Sequence, residues 1–186
     1  MTKMLEGIGK DAEIIINENG GMQSKSPAAM HLIDPKFLKT VIKHANLDMK
    51  GIPTAIRLIA SYMQHAPTVN WLHTALEELE PSFAKNLFTI GKVLQEGASK
   101  YSPNNWRLIP REEHINHALI HLVAALDGDT QDDHEEHAMC RLHMAIATEE
   151  TPGFSYTKIA QKQKENKITN ELVEFLMDTL RGEYSA

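Results

Sequence analysis

The 186-residue sequence predicts an all-α fold, a compact bundle of about six to seven helices with an irregular N-terminal segment. Three observations carry this. The apolar residues are mostly Leu, Ile, Ala and Met while aromatics make up only 6%, so β-branched and aromatic runs suited to strands are scarce. Apolar positions recur at helical spacing over most of the chain. Pro and Gly punctuate those stretches near residues 51–53, 67, 81, 128 and 152–153. A hydrophobic share of 42% with 24% charged residues is an ordinary globular balance, and the length suits one domain over 1–186.

Residues 1–34 carry turn formers in place of periodicity, notably Asn17-Glu18-Asn19-Gly20-Gly21 and Ser24-Lys25-Ser26-Pro27, and are expected to wrap the body irregularly. A first helix is expected from Pro35 to Leu47, with Asp34 as N-cap and Phe37, Leu38, Val41, Ile42 and Ala45 in register. Ile56, Leu58, Ile59 and Met63 predict a second helix closing near His65, and a third runs from about Val69 to Leu79, stopped by Pro81. Between Ser82 and about Gly97, Phe83, Leu87, Phe88, Ile90, Val93 and Leu94 make a stripe broad enough for a buried helix at the centre of the core.

Residues 97–110 read as a polar loop bearing Lys100, Tyr101, Asn105, Trp106 and Arg107, a mixture of cations and aromatics typical of binding loops. The plainer reading is that the two aromatics plug the loop onto the core. Pro110 opens the next helix, with Glu112 and Glu113 in its first turn and Gly128 as its stop. Asp132, with Glu135 three residues on, predicts a capped helix running to about Ala147. After Thr151-Pro152-Gly153 a last helical region is expected over 154–186, polar at first and amphipathic through Leu172, Val173, Leu176 and Leu180.

The charge of −6 disfavours an extended nucleic-acid face but not a nucleotide, which needs only a few local cations or a bridging metal. No stretch approaches the roughly 20 apolar residues of a membrane span and no signal-like run opens the chain, so a cytoplasmic protein with no membrane partner is expected. The lone cysteine, Cys140, forms no intramolecular disulfide and reads as small core filler.

The strongest anomaly lies between Glu112 and His143, where six of the ten histidines fall. At about 100° per residue, Ile115, Ala118, Leu119, Leu122, Val123 and Leu126 form a core stripe, and His114, His117 and His121 share its flank. On the following helix His134, His137 and Arg141 share a flank in the same way. The short connection from Gly128 to Gln131 makes the two helices antiparallel neighbours, so the ridges are expected to meet. His117 and His121, with Asp133 and His137, each pair spaced i, i+4, would then form a metal set suited to Zn²⁺ or another transition metal. Alternatively the carboxylates at 127, 129, 132, 133, 135 and 136 hold Mg²⁺ against phosphate oxygens, with a histidine as general acid or base. The bland reading is that flank histidines are merely hydrogen-bonded, half-buried side chains.

Several motifs together resemble a known family. They are Gly20-Gly21-Met22-Gln23-Ser24; Glu96-Gly97-Ala98-Ser99-Lys100-Tyr101 with Asn105-Trp106-Arg107; Glu113-His114-Ile115-Asn116-His117 with His121; and Gly128-Asp129 leading to Asp132-Asp133-His134, His137-Ala138 and Cys140-Arg141. Over about 17–34 and 84–148 the chain is similar to the phage-associated dATP/dGTP diphosphohydrolases, in their N-terminal-type domain. Residues 84–148 are then the family-like core and 39–81 a helical insertion.

The resemblance implies hydrolysis of purine deoxynucleoside triphosphates to monophosphate and pyrophosphate with a divalent metal, in the cytoplasm of the infected host. Mg²⁺ or Mn²⁺ is the first expectation, with Zn²⁺ or another transition metal suggested by the histidines. The better-known all-α pyrophosphohydrolases use Glu-rich helical motifs where this chain has histidines, and no His-Asp pair of the HD-type hydrolases occurs.

Under this reading His117, His121, Asp133 and His137 hold the metal, and His114, Asp132 and His134 are acid/base groups. Gln23, Lys100, Tyr101, Asn105, Trp106, Arg107 and Arg141 contact the nucleotide, the cations on phosphates and the aromatics on the base. A homo-oligomer is expected, since helical pyrophosphohydrolases commonly build sites between subunits. The rival functions are a non-catalytic protein that binds or sequesters a nucleotide signal, and a purely structural helical protein.

Overall fold

The computed structural model describes residues 12–45, 50–65 and 68–148, and the helical region expected over 154–186 lies outside them. Six helices and one two-stranded hairpin make up the described chain: β1 Ile14–Ile16, β2 Met22–Ser24, α1 Pro35–His44, α2 Ile52–Gln64, α3 Asn70–Leu79, α4 Phe83–Tyr101, α5 Arg111–Leu126 and α6 His134–Ala147. The fold is all-α in its core, as the periodicity predicts.

The N-terminal segment is more ordered than its turn-rich composition suggests. β1 and β2 pair antiparallel with Ile15 opposite Gln23. Gly20 takes φ +79 in the connection, and the Asn17 Oδ1 accepts from the Asn19 and Gly21 N–H groups, an Asx-type turn. The hairpin does wrap the body. Asn105 pairs with the Met22 backbone, accepting its N–H at 2.8 Å and donating to its carbonyl at 2.6 Å. A Cβ on Gly21 would lie 2.8 Å from the Leu108 carbonyl oxygen, so only glycine permits this approach.

The Asp34 Oδ1 accepts from the N–H groups of Lys36 (2.8 Å) and Phe37 (3.1 Å), the N-cap that its position before Pro35 predicts. The core runs through α1, α2, α3, α5 and α6, with Ile56, Ile59, Tyr62, Leu72, Ile115, Leu119, Leu122 and Leu142 all fully buried. Burying each such aliphatic side chain stabilises the fold by roughly 1.5–3 kcal/mol. α5 takes the central place: the nine consecutive residues from His114 through Leu122 are all buried.

Three expectations are corrected. First, α4 is not the central buried helix. Phe83 and Phe88 are each 78% exposed and Leu87 53%, and its buried residues are only Asn86 and Ile90. An apolar stripe shows which residues share a face, but burial requires a partner face, and none among the described residues covers Phe83, Leu87 and Phe88. Second, α4 runs on through Gly97 to Tyr101, so Lys100 and Tyr101 stand on a helix end, and only 102–110, with a 3-10 turn at Asn105–Leu108, is loop. Third, α6 begins one residue later than its capping box predicts. Asp133 holds the N-cap position without a side-chain cap bond, because the Asp132 carboxylate instead accepts from the His137 Nδ1–H at 2.9 Å. By contrast α5 ends as expected, with Gly128 at φ +78 donating to the Ala125 carbonyl and Asp129 to that of Ala124, a Schellman closure.

Candidate metal and nucleotide site

α5 and α6 pack side by side, and their histidine ridges meet. On α5, His114, His117 and His121 are all buried, at 0%, 5% and 8% exposure. They are followed from α6 by His134, also buried, and by the half-buried His137 and Arg141. Asn116, 1% exposed, anchors the chain beyond the hairpin by donating to the Ala28 carbonyl and accepting from the His31 N–H.

Ring nitrogens from His121 and His137 and a carboxylate oxygen of Asp132 lie within 4.8 Å of one another, a group that fits a metal ion. Two imidazoles and one carboxylate form a borderline donor set, matched to first-row divalent ions. The protonation states suit ligation. Burial above all, then the charges of His137 and Arg141, hold the His121 imidazole well below the usual histidine range, hence neutral. Burial pushes the Asp132 carboxyl up, but the His137 hydrogen bond and charge, with help from His121 and the Asp133 N–H, outweigh it and hold the acid at about 2. A ligand must be deprotonated to bind, and both groups are so at neutral pH.

Of the four expected metal ligands, the structure brings His121 and His137 together but not the other two. His117 turns its Nε2 to the Ser26 hydroxyl, 3.0 Å away, and Asp133 is exposed. Helical i, i+4 spacing favoured Asp133, whereas Asp132 precedes the helix and folds back toward His137. No local signal in the sequence marks that reversal. His117, like His121, is held far below the ordinary histidine range by burial first and Arg141 second.

His114 links this group to the aromatic loop. Its Nε2–H donates to the Trp106 carbonyl at 3.0 Å, leaving Nδ1 to accept from the Arg141 guanidinium at 3.2 Å. One tautomer is therefore set, and burial followed by the Arg141 charge pushes the His114 pKa down to about 3. Trp106 stacks under the Arg107 guanidinium at 4.4 Å and lies 5.9 Å from the His143 ring. Burial, then Arg107, lowers the His143 pKa. The exposed Lys100 ammonium lies 5.0 Å from the Tyr101 ring, whose hydroxyl is 3.1 Å from the Ser24 hydroxyl. Gln23 is buried, and its Oε1 has no hydrogen-bond partner among the described residues. Asn105 is committed to the hairpin, and Cys140, its thiol pushed up to about 11 by burial, is core filler as expected.

Among the described residues no helix is long and apolar enough to cross a membrane. No curated protein and no solved structure matches the chain. The residues just described fall largely within one matched segment: over residues 74–154 the chain matches the model of the family described as dATP/dGTP diphosphohydrolase, N-terminal.

Proposed function

We propose that this protein is a metal-dependent pyrophosphohydrolase that converts purine deoxynucleoside triphosphates to monophosphate and pyrophosphate in the cytoplasm. The observation that carries the reading is the meeting of His121, Asp132 and His137 inside the segment matched to the dATP/dGTP diphosphohydrolase family. These three residues would hold the divalent ion, which would supply the Lewis-acid chemistry that phosphoanhydride hydrolysis requires.

The rest of the site binds and orients. Lys100 and Arg107 present exposed cations to the triphosphate, and Arg141 backs them from the histidine ridge. Trp106 offers a ring face to the base, held in place by the hydrogen bond of its carbonyl to His114. The buried, unpaired Gln23 Oε1 supplies an acceptor for an exocyclic amine. His114 and His134 act chiefly through their neighbours, since each has a ring nitrogen committed to another site residue, while Asp132 serves as a ligand. The exposed Phe83, Leu87 and Phe88 on α4 support self-association into a homo-oligomer.

The test incubates the purified chain with each dNTP and Mg²⁺, Mn²⁺ or Zn²⁺ and resolves the products by anion-exchange chromatography. dATP or dGTP should yield monophosphate and pyrophosphate. No turnover with any combination would sink the proposal, and tight nucleotide binding in EDTA with the nucleotide recovered intact would replace it with a non-catalytic nucleotide-binding role.

A further inference from the structure

Behind the three-residue group stands a second pair of side chains. The Nδ1 atoms of His121 and His134 are 3.0 Å apart, and the His134 Nε2 lies 3.6 Å from the Asp129 Oδ2. The His134 side chain is 2% exposed and that of Asp129 15%, and the His134 Nε2 has no hydrogen-bond partner at that distance. Two nitrogens this close must share one proton: two N–H groups would clash and two lone pairs would repel.

The shared proton has two positions with different consequences. If it sits on His134, a neutral His134 turns the Nε2 lone pair toward the Asp129 carboxylate, which is repulsive in a buried setting. His121 then carries its own proton on Nε2 and has no free lone pair. If it sits on His121, His134 carries its proton on Nε2 and directs that N–H at Asp129, which is attractive. His121 is then left with a lone pair on Nε2. Asp129 is itself fixed for this: its N–H closes the α5 terminus onto the Ala124 carbonyl, and its Oδ1 accepts from the Gln131 N–H at 2.9 Å, leaving Oδ2 for His134.

We propose that Asp129 and His134 are positioning residues, a buried carboxylate–imidazole relay that holds His121 as the Nδ1–H tautomer and so presents its Nε2 to a first-row divalent ion. The ligation half of the inference rests on the metal reading above, whereas the tautomer half does not.

Two measurements on the full chain test it. Two-bond ¹H–¹⁵N correlation of the ¹⁵N-labelled, metal-free protein should show His121 protonated at Nδ1 and His134 at Nε2. His121 protonated at Nε2, or a doubly protonated His134, overturns the relay. Co²⁺ and Zn²⁺ titrations then read the consequence: Asp129→Asn and His134→Phe should each weaken binding by about 10–100-fold. His134→Asn, which keeps an acceptor facing His121, should bind close to wild type.

Should His134→Phe fail to fold, Asp129→Asn on the more exposed partner decides. Equal affinity in wild type and all folded variants overturns the positioning role while leaving the metal reading intact. A wild type that binds neither ion overturns the metal reading, and the tautomer measurement then decides the relay alone.

Discussion

Helices α4 and α5 invert each other. α4 carries Phe83 and Phe88 at 78% exposure, while α5 buries His114, Asn116, His117 and His121 at 8% exposure or less. Side-chain polarity alone would place them the other way round. α5 lies between the 26–32 segment, α2 and α6, so each polar group must find a partner there: the Trp106 carbonyl, the Ala28 carbonyl, the Ser26 hydroxyl, His134. α4 touches the body along one side, where its Lys92 pairs with Glu136 at 3.0 Å and Asn86 reaches the Leu76 and Glu80 carbonyls. Coverage by neighbours, more than polarity, decides what is inside.

Acid should break the α5 side first. Folded His114 takes up a proton only near pH 3, whereas an unfolded imidazole does so near 6.5, and His117 and His121 shift in the same direction. Their stabilising contribution is complete above 6.5 and is lost as pH falls toward the folded values. Roughly 1–2 kcal/mol per histidine should disappear between pH 7 and pH 5. Urea melts at the two pH values measure this, and equal midpoints would show that the ridge is hydrated.

The next largest effect belongs to Leu119→Ala, at 0% exposure in the core, which should cost about 2–5 kcal/mol in chemical denaturation. Asn116→Ala leaves the Ala28 carbonyl and the His31 N–H unpaired and should cost about 1–3 kcal/mol. Hydrogen exchange at residues 28–31 should rise with it. On α4, Phe88→Ser should change folding stability by no more than about 0.5 kcal/mol. Its effect should appear in sedimentation instead, where the homo-oligomer proposed above should fall to monomer. A destabilisation comparable to that of Leu119→Ala would place Phe88 in an intrachain core after all.

Much of the fold was legible. Helical spacing located five of the six described helices with ends close to those observed, Asp34 and Gly128 punctuated them as their chemistry demands, and the short connection at 128–131 placed α5 beside α6. The hairpin was not legible, because Ile14–Ile16 and Met22–Ser24 are too short to show a pattern and are held by Asn105, more than 80 residues away. The candidate site was half legible. Residues one or two turns apart on a helix share a flank by geometry, which brought out His121 with His117 and His137 with Arg141. Asp132 lies outside the helix, where no period applies, and the partner of His117, Ser26, comes from a distant segment.

The sequence by itself determined that helices form, where they stop, and which side chains share a face, because these follow from spacing of a few residues and the conformational limits of Pro, Gly and Asp. Only the tertiary structure decided which faces are covered, that Asp132 and not Asp133 meets His121 and His137, and that four histidines are buried. Those outcomes depend on contacts between separate elements, where desolvation and the geometry of a few hydrogen bonds outweigh any local preference.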